Sequence, residues 1–186
     1  MGNVIGDVHA FVLEEFGKEH SHYKNSYAGH MVPMVERSLE LAKTKNADLE
    51  VVEIAAWLHD IGSIVHGRKD HHITGAEIAE KKLKELNYPE KKIQLVKACI
   101  LNHRGSQNNE RESLEEKIIS DADAVSAFDN VAGLIEAAIV WEKLNQFDAM
   151  DSVLKKLERK YNQLFFDESK GIVKDKYEAA KVLFKK

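Results

Sequence analysis

Apolar residues recur at three- and four-residue spacing along almost the whole chain, and only two prolines, Pro33 and Pro89, interrupt the pattern. This spacing is typical of amphipathic helices that pack on one another, and it predicts an all-α fold. No repeat, linker or low-complexity tract divides the 186 residues. We therefore expect one domain, residues 1–186, built as a bundle of about eight helices. The predicted helices span residues 29–44, 49–61, 73–86, 90–102, 113–127, 131–145, 148–165 and 173–185.

Charge and cysteine content narrow the class of protein. With 27 basic and 31 acidic residues the formal net charge is −4, which gives no general electrostatic attraction to nucleic acid. The single cysteine, Cys99, cannot form an intramolecular disulfide, and no N-terminal segment resembles a secretion signal, so a reducing, cytoplasmic setting is expected. The longest apolar runs, Val51–Leu58 and Leu134–Trp141, are too short to cross a bilayer. The expected partner is a small molecule, and the oligomeric state is left open.

The segment Val51–Leu58 is apolar around nearly its whole circumference, which places its helix in the middle of the fold. His59 and Asp60 follow it directly. In one interpretation the histidine complements the negative end of the helix while the aspartate is exposed. In the other, both are ligands of a divalent ion held at the helix end, because a cation offsets the cost of burying a carboxylate. The dipeptide alone leaves both interpretations open.

Further imidazole and carboxylate groups stand near the ends of other predicted helices. Asp121 and Asp123 lie at the margin of an apolar stripe, so their helix presents at least one carboxylate where the core meets solvent. Imidazole and carboxylate ligands together suit a divalent transition metal. Each group taken alone is explained as well by a structural or solvated role, but their number favours a metal site. The histidines concerned are His30, His71, His72 and His103.

The order His30, His59-Asp60, His71, His103, Asp121 resembles the HD-domain superfamily of metal-dependent phosphohydrolases. The resemblance covers about residues 25–130, and the helices from 131 to 186 are expected to complete the bundle by core packing alone. Its most specific segments are Ala-Trp-Leu-His-Asp-Ile-Gly, His-His-Ile-Thr-Gly-Ala, Leu-Asn-His-Arg-Gly and Ile-Ile-Ser-Asp-Ala-Asp-Ala.

The resemblance implies two sets of metal ligands. The minimal site of the family corresponds to His30, His59, Asp60 and Asp121 around one ion. Branches with a second ion, such as the HD-GYP phosphodiesterases, add two histidines and bridge the ions with the aspartate of the His-Asp pair. Asp60 is then the central catalytic residue, and His71 and His103 are the added ligands. The chain lacks the Gly-Tyr-Pro signature of HD-GYP proteins, which argues against cleavage of cyclic dinucleotides.

His71 is preferred to His72 as a ligand because the second-metal histidine of such branches stands four residues before a glycine, as His71 stands before Gly75. His72 would instead orient a ligand or contact substrate. Arg104, next to the last histidine, and Arg68, between two of the histidine motifs, are candidates for binding a phosphate group through bidentate hydrogen bonds.

The function implied is hydrolysis of a phosphate ester or anhydride of a nucleotide or other small phosphorylated metabolite. One or two divalent ions (Fe, Mn, Ni, Co or Zn) would lower the pKa of a bound water and neutralise charge on phosphoryl oxygens. Two alternatives stay open: a non-haem di-iron oxygenase, which uses a similar ligand order on the same scaffold, and a binding or regulatory module with a structural metal. Substrate specificity is expected to depend on the loop at 104–112.

Overall fold

A computed structural model describes residues 3–19, 21–23, 26–104 and 110–184. The described residues contain helices and no strand, which confirms the predicted all-α class. A π-helical segment, Tyr27–Met31, runs directly into the second α-helix. The α-helices are α1 Val4–Gly17, α2 Val32–Lys45, α3 Leu49–Leu58, α4 Ile61–His66, α5 His71–Glu85, α6 Glu90–Asn102, α7 Leu114–Asp129, α8 Val131–Val140, α9 Gln146–Asn162 and α10 Asp167–Phe184.

Two differences from the predicted helices matter for the site. The first helix, α1, was not predicted, although its buried Val8, Val12 and Phe16 follow a four-residue spacing. The predicted helix 49–61 ends early, because α3 stops at Leu58, and a short helix that was not predicted, α4, begins at Ile61. The break falls on the two residues between them, and it turns the chain at the point where metal ligands were predicted.

Helix α3 lies at the centre of one hydrophobic core, as its apolar circumference predicts. Residues Val51, Val52, Ile54 and Leu58 have no exposed surface, and the helix packs against α1, α2, α6 and α7. Asp48 begins the helix, because its side chain accepts a hydrogen bond from the backbone N–H of Val51 at 3.2 Å. The C-terminal end of this central helix is therefore fixed inside the protein.

A second hydrophobic core joins α8, α9 and α10 to the C-terminal half of α7. The N-terminal half of α7 contributes Ile118, Ile119 and Ala122 to the first core, whereas Val125 and Phe128 belong to the second. Helix α7 therefore connects the two cores, and groups near its middle lie where both sets of helices meet.

Close contact between α4 and α5 depends on glycine. A Cβ atom on Gly62 would lie 2.2 Å from the carbonyl oxygen of His71 and 2.6 Å from the backbone nitrogen of Gly75. Only a residue without a side chain allows this approach. The contact brings the start of α5 beside the start of α4, directly after the His59-Asp60 turn.

None of the helices in the described ranges combines the length and apolar character needed to span a bilayer.

Candidate metal centre

Four histidines from different elements converge on the carboxylate of Asp60. His30 lies in the π-helical segment, and π-helical turns occur often at functional sites. His59 follows α3, and His103 follows α6. His71 is the first residue of α5. The structure thus brings together five of the residues that the sequence predicted as ligands.

The two oxygens of Asp60 face different pairs of histidines. Oδ2 lies 3.6 Å from Nε2 of His30 and 3.5 Å from Nε2 of His59. Oδ1 lies 3.3 Å from Nε2 of His71 and 3.8 Å from Nε2 of His103. A carboxylate placed in this way has one oxygen available to each of two neighbouring ions.

Each histidine is oriented by a hydrogen bond from its other ring nitrogen. Nδ1 of His59 donates to the carbonyl of Ala56 at 2.8 Å, and Nδ1 of His103 donates to that of Ile100 at 2.6 Å. Nδ1 of His71 bonds the carbonyl of Arg68 at 2.9 Å in the same way. A proton on Nδ1 leaves the lone pair of Nε2 directed at Asp60, which is the tautomer a metal requires.

His30 is held by a side chain instead of a carbonyl. Its Nδ1 lies 3.0 Å from Oγ of Ser126, and that hydroxyl donates to the carbonyl of Asp123 at 3.0 Å. Since the hydroxyl proton is already used, His30 must be the donor, and its Nε2 again carries a lone pair. Nε2 of His30 lies 3.1 Å from Nε2 of His59. Two lone pairs at this distance need a proton or a cation between them.

The structure corrects the expectation for Asp121. This residue is buried, and its two oxygens accept hydrogen bonds from the backbone N–H groups of Phe165 at 2.9 Å and Phe166 at 3.0 Å. It therefore links α7 to the connection before α10 and does not reach the histidines. Residues two apart on a helix point in directions about 200° apart, so Asp121 and Asp123 cannot share a face.

Asp123 occupies the position that Asp121 was expected to fill. Its Oδ1 lies 3.6 Å from Nε2 of His30, and its Oδ2 accepts a hydrogen bond from Nζ of Lys160 on α9 at 2.6 Å. The residues alone had left both carboxylates open, and the resemblance selected the wrong one. The partner that distinguishes them, Lys160, is 37 residues away in the chain and gives no local signal.

The electrostatics of the cluster favour an ionised Asp60 and neutral side chains at His59 and His103, whereas His30 is shifted the other way. Burial opposes the charge of Asp60, but the surrounding imidazoles outweigh burial and hold the pKa of this carboxyl well below its usual range. Burial lowers the pKa of His59, and burial together with the neighbouring His59 lowers the pKa of His103 to about 4. Burial alone would lower the pKa of His30, but the Asp60 and Asp123 carboxylates raise it. The states of Asp60, His59 and His103 are those in which such groups bind metals.

The spacing of the donor atoms fits metal binding. The groups His30-His59-Asp60 and Asp60-His71-His103 each offer three ligand atoms within 4.8 Å of one another. Atoms that share an ion through bonds of about 2.0–2.2 Å lie roughly 3–3.6 Å apart. The separations in the cluster, 3.1 Å to 3.8 Å, are close to that range. The cluster could therefore hold one divalent ion in each group, with Asp60 common to both.

A cavity of about 250 Å³ opens beside the cluster, and its walls carry several cations. Arg68 and Arg104 line it, at the positions where the sequence predicted phosphate contacts. His72 is not among the lining residues; it is buried, and its Nδ1 has no hydrogen-bond partner in the described part of the chain. The expected role of His72, to orient a ligand or to contact substrate, stays a prediction. Residues 105–109 of the predicted specificity loop lie outside the described residues.

Helix α9 supplies cations that the sequence did not predict. Lys156, Arg159 and Lys160 all line the cavity. Their spacing of three and four residues puts them on one face of the helix, but the same spacing is common on solvated helices. The expectation that the C-terminal helices only complete the core is therefore wrong for α9.

Comparisons with known proteins agree with this geometry. The model of the HD domain family matches residues 27–127. Among curated proteins, a tRNA (cytidine(56)-2'-O)-methyltransferase from Picrophilus torridus is 27% identical over 160 residues, which cover 78% of this chain and 44% of that protein. The chain thus spans less than half the length of this relative, whose name describes the longer protein.

Several solved structures share the fold. A protein described as a predicted HD superfamily hydrolase, from an uncultured Thermotogales bacterium, is 22% identical; the match covers 96% of this chain and 87% of that one, with a TM-score of 0.64. Bacillus subtilis YpgQ is 17% identical over 97% of this chain and 91% of its own, with a TM-score of 0.74, and it has also been solved in complex with ADP. An HD-superfamily hydrolase from Bacillus thuringiensis is 16% identical, covering 96% and 92%, with a TM-score of 0.68.

The family model covers more than half of the chain, and the histidines and Asp60 of the cluster lie within the matched residues. The chain belongs to the HD-domain family.

Proposed function

We propose that the protein is a metal-dependent phosphohydrolase that acts on a nucleotide or another small phosphorylated metabolite. One observation carries the proposal: a carboxylate shared by two pairs of histidines borders a cavity whose remaining charged walls are mostly cationic. The first feature suits divalent ions, and the second suits an anionic substrate.

The roles of the residues follow from their positions. Asp60 would bind both ions, His30 and His59 one of them, and His71 and His103 the other. When bound, such ions polarise phosphoryl oxygens and make a water acidic enough to attack phosphorus near neutral pH. Asp123 lies beside His30 and is placed to complete the first set or to orient the attacking water.

The protein side chains position the substrate. Arg104 follows the ligand His103 directly and lines the cavity, so its guanidinium is placed to bind a phosphoryl oxygen next to the cluster. Arg68 lines the cavity from the segment between α4 and α5. A phosphate group held by such donors has little freedom to rotate, which favours in-line attack.

The cavity also has an apolar part. Ile64, Ala127, Leu134 and Ala137 line it, and Tyr23 contributes an aromatic ring. A nucleotide has an anionic end and a flat, less polar base, and the two kinds of lining match these two ends. The structure of YpgQ with ADP supports a nucleotide for this fold.

The ligand set by itself is also compatible with a di-iron oxygenase. The cationic lining argues against an oxygenase that acts on a neutral substrate such as myo-inositol, but it suits an oxygenase that cleaves phosphonates as well as a phosphohydrolase. The identity of the metal discriminates between these two. Oxygen consumption with iron, and no release of phosphate with other metals, would favour the oxygenase.

The first test measures metal per chain by elemental analysis of protein purified without oxygen. A screen of nucleotides and phosphate esters with the same sample follows. We expect about two transition-metal ions per chain and release of phosphate or pyrophosphate.

The variant Asp60→Ala should lose most of the bound metal and all activity, because Asp60 is common to both groups of ligands. Asp175→Ala is a matched control, since Asp175 is an exposed aspartate within helix α10 and outside both groups. Absence of metal even after reconstitution, or full metal content in Asp60→Ala, would contradict the proposal.

A further inference from the structure

Lys156 on α9 is an unusual buried lysine. Its side chain is 11% exposed, and its Nζ atom is buried without a hydrogen-bond partner among the described residues. The nearest carboxylate, that of Glu142, is 3.6 Å away and is itself 36% exposed. An ammonium group has three donors, and leaving them unused in a buried position is costly.

The ion pair of Lys156 with Glu142, at 3.6 Å, accounts for this arrangement only in part. A lysine that stabilises a fold through a carboxylate forms a hydrogen bond with it, as Lys160 does with Asp123 at 2.6 Å. Lys156 makes no such bond, and it lines the cavity beside the metal cluster. Burial and the nearby charge of Arg68 together lower the pKa of Lys156. Two cations close together at the cavity wall repel each other, and this arrangement favours the binding of an anion there.

The charged side chains that line the cavity are mostly cationic. Five cationic side chains line it, but its lining carboxylates are only Asp60 and Asp123 in the described part of the chain. Asp60 is engaged by the histidines, and Asp123 by Lys160. The cations without a lining carboxylate are Arg68, Arg104, Lys156 and Arg159.

These cations extend away from the cluster along α9. Lys160 contacts Asp123 and therefore lies at the cluster. Lys156 is one helical turn earlier, about 6 Å along the axis, on the same face. A phosphoryl group bound at the cluster could not also fill the surroundings of Lys156, whereas a second group attached to the first could do so.

We propose that Lys156, Arg68 and Arg159 form a second anion subsite, which binds the second phosphoryl group of a substrate with two linked phosphoryl groups. The inference rests on the proposed function, because it names the substrate class of the same site as a phosphoanhydride. Hydrolysis adds the oxygen of one water to the phosphorus at the cluster and breaks the bridging P–O bond. The bridging oxygen keeps the electron pair and leaves as part of the phosphate at the second subsite, whose negative charge the three cations stabilise. The protons of the water pass to the products and solvent.

The test measures binding to the full-length, metal-loaded protein by titration calorimetry. The probes are methylenediphosphonate, which has two linked groups that cannot be hydrolysed, and methylphosphonate, which has one. We expect Lys156→Met to lower the ratio of the two affinities, diphosphonate over monophosphonate, by about tenfold or more, because a charge-assisted contact is lost from one probe only. Lys155→Met is the matched control, since Lys155 is the exposed neighbour paired with Asp151, and it should leave the ratio unchanged.

Thermal unfolding of the same variants separates a binding role from a structural one. If Lys156 serves the subsite, Lys156→Met removes a buried charge that lacks a hydrogen bond and should keep or raise the melting temperature of the ligand-free protein. A lower melting temperature together with an unchanged affinity ratio would assign Lys156 to the fold and overturn the subsite.

The outcome also separates the subsite from the proposed function. Binding of diphosphonate that depends on Lys156, in a protein that hydrolyses no phosphate compound, would support the subsite and reject the function. Hydrolysis of phosphate compounds with an unchanged affinity ratio in Lys156→Met would support the function and overturn the subsite.

Discussion

The cluster has two sides, and their ligands are oriented in different ways. On one side, His59, His71 and His103 each bond through Nδ1 to a carbonyl three residues earlier in the chain. On the other side, His30 donates to a hydroxyl 96 residues later, and Asp123 accepts from an ammonium 37 residues later. The first side is built by the local chain around each helix end, whereas the second forms only when α7 packs against the segment leading into α2 and against α9.

Because of this difference, substitutions on the two sides change different things. Backbone carbonyls orient the local side, so a point mutation can remove a ligand there but cannot easily remove its support. Side chains orient the other side, so ligand and support can be changed one at a time. Substitutions on the two sides should therefore have effects of different size and kind.

The largest effect is expected on the local side, from His71→Ala. This variant should lose the ion held by Asp60 with His71 and His103 while keeping the other ion, which would reduce bound metal to about half. Elemental analysis of the purified variant measures this directly.

His72→Ala is the control for that measurement. His72 is the adjacent buried histidine, but it belongs to neither ligand group and does not line the cavity. It should keep full metal content. Loss of metal from His72→Ala, with none lost from His71→Ala, would show that the two histidines have been assigned in the wrong order.

Part of the local side could be predicted from the residues alone, because the end of an apolar helix is a local feature. His59 and His103 each follow an apolar helix, and a bond to the carbonyl three residues earlier depends only on that helix end. That His71 and His103 are ligands, and that His71 is preferred to His72, came from the resemblance. The contact of Gly75 with Gly62 gives a physical reason for a glycine four residues after His71, but it depends on how α4 and α5 pack.

The other side could be predicted only in part. The resemblance assigned His30 to the cluster. Nothing in the sequence indicated that Ser126 would be its hydrogen-bond partner. The choice between Asp121 and Asp123 depends on which face of α7 meets α9, and no periodicity in α7 decides it because most of that helix is buried. The cations of α9 were missed for the same reason, since their role depends on the cavity they face.

Prediction of the helices was limited in the same way, to features that depend on the local sequence. Most of the helices were predicted, because amphipathic spacing is local. The end of α3 at Leu58 and the short helix α4 were not predicted, because apolar residues continue past the break with Ile61. The turn at His59-Asp60 is visible only when the cluster around it is known.

An effect of intermediate size is expected from a matched pair on α7, Asp123→Asn and Asp121→Asn. The first removes a charge beside His30 and the charged partner of Lys160, so it should weaken metal binding and activity and also lower the free energy of unfolding. The second leaves one of the N–H groups of Phe165 and Phe166 without an acceptor, and should lower the free energy of unfolding by about 1–3 kcal/mol. Urea denaturation and metal titration of both variants separate the two effects.

The opposite result for the two variants would support the original expectation that Asp121 is a metal ligand. If Asp121→Asn lost metal at unchanged stability, and Asp123→Asn kept it, the carboxylate of Asp121 would be the ligand and the contacts with Phe165 and Phe166 would be secondary.

The smallest effect is expected from Ser126→Ala, which removes the support of His30 and leaves the ligand itself. Without the hydroxyl, His30 can rotate or change tautomer, and groups that orient metal ligands in this way typically contribute about 10–100-fold in metal affinity. Ser38→Ala is the control, because Ser38 is also buried in a helix and donates to a carbonyl one turn earlier, but contacts no histidine. Metal affinity measured by competition with a chelator should fall in the first variant alone. If both variants kept the same metal affinity, packing alone would orient His30. The two sides of the cluster would then differ less than their hydrogen bonds indicate.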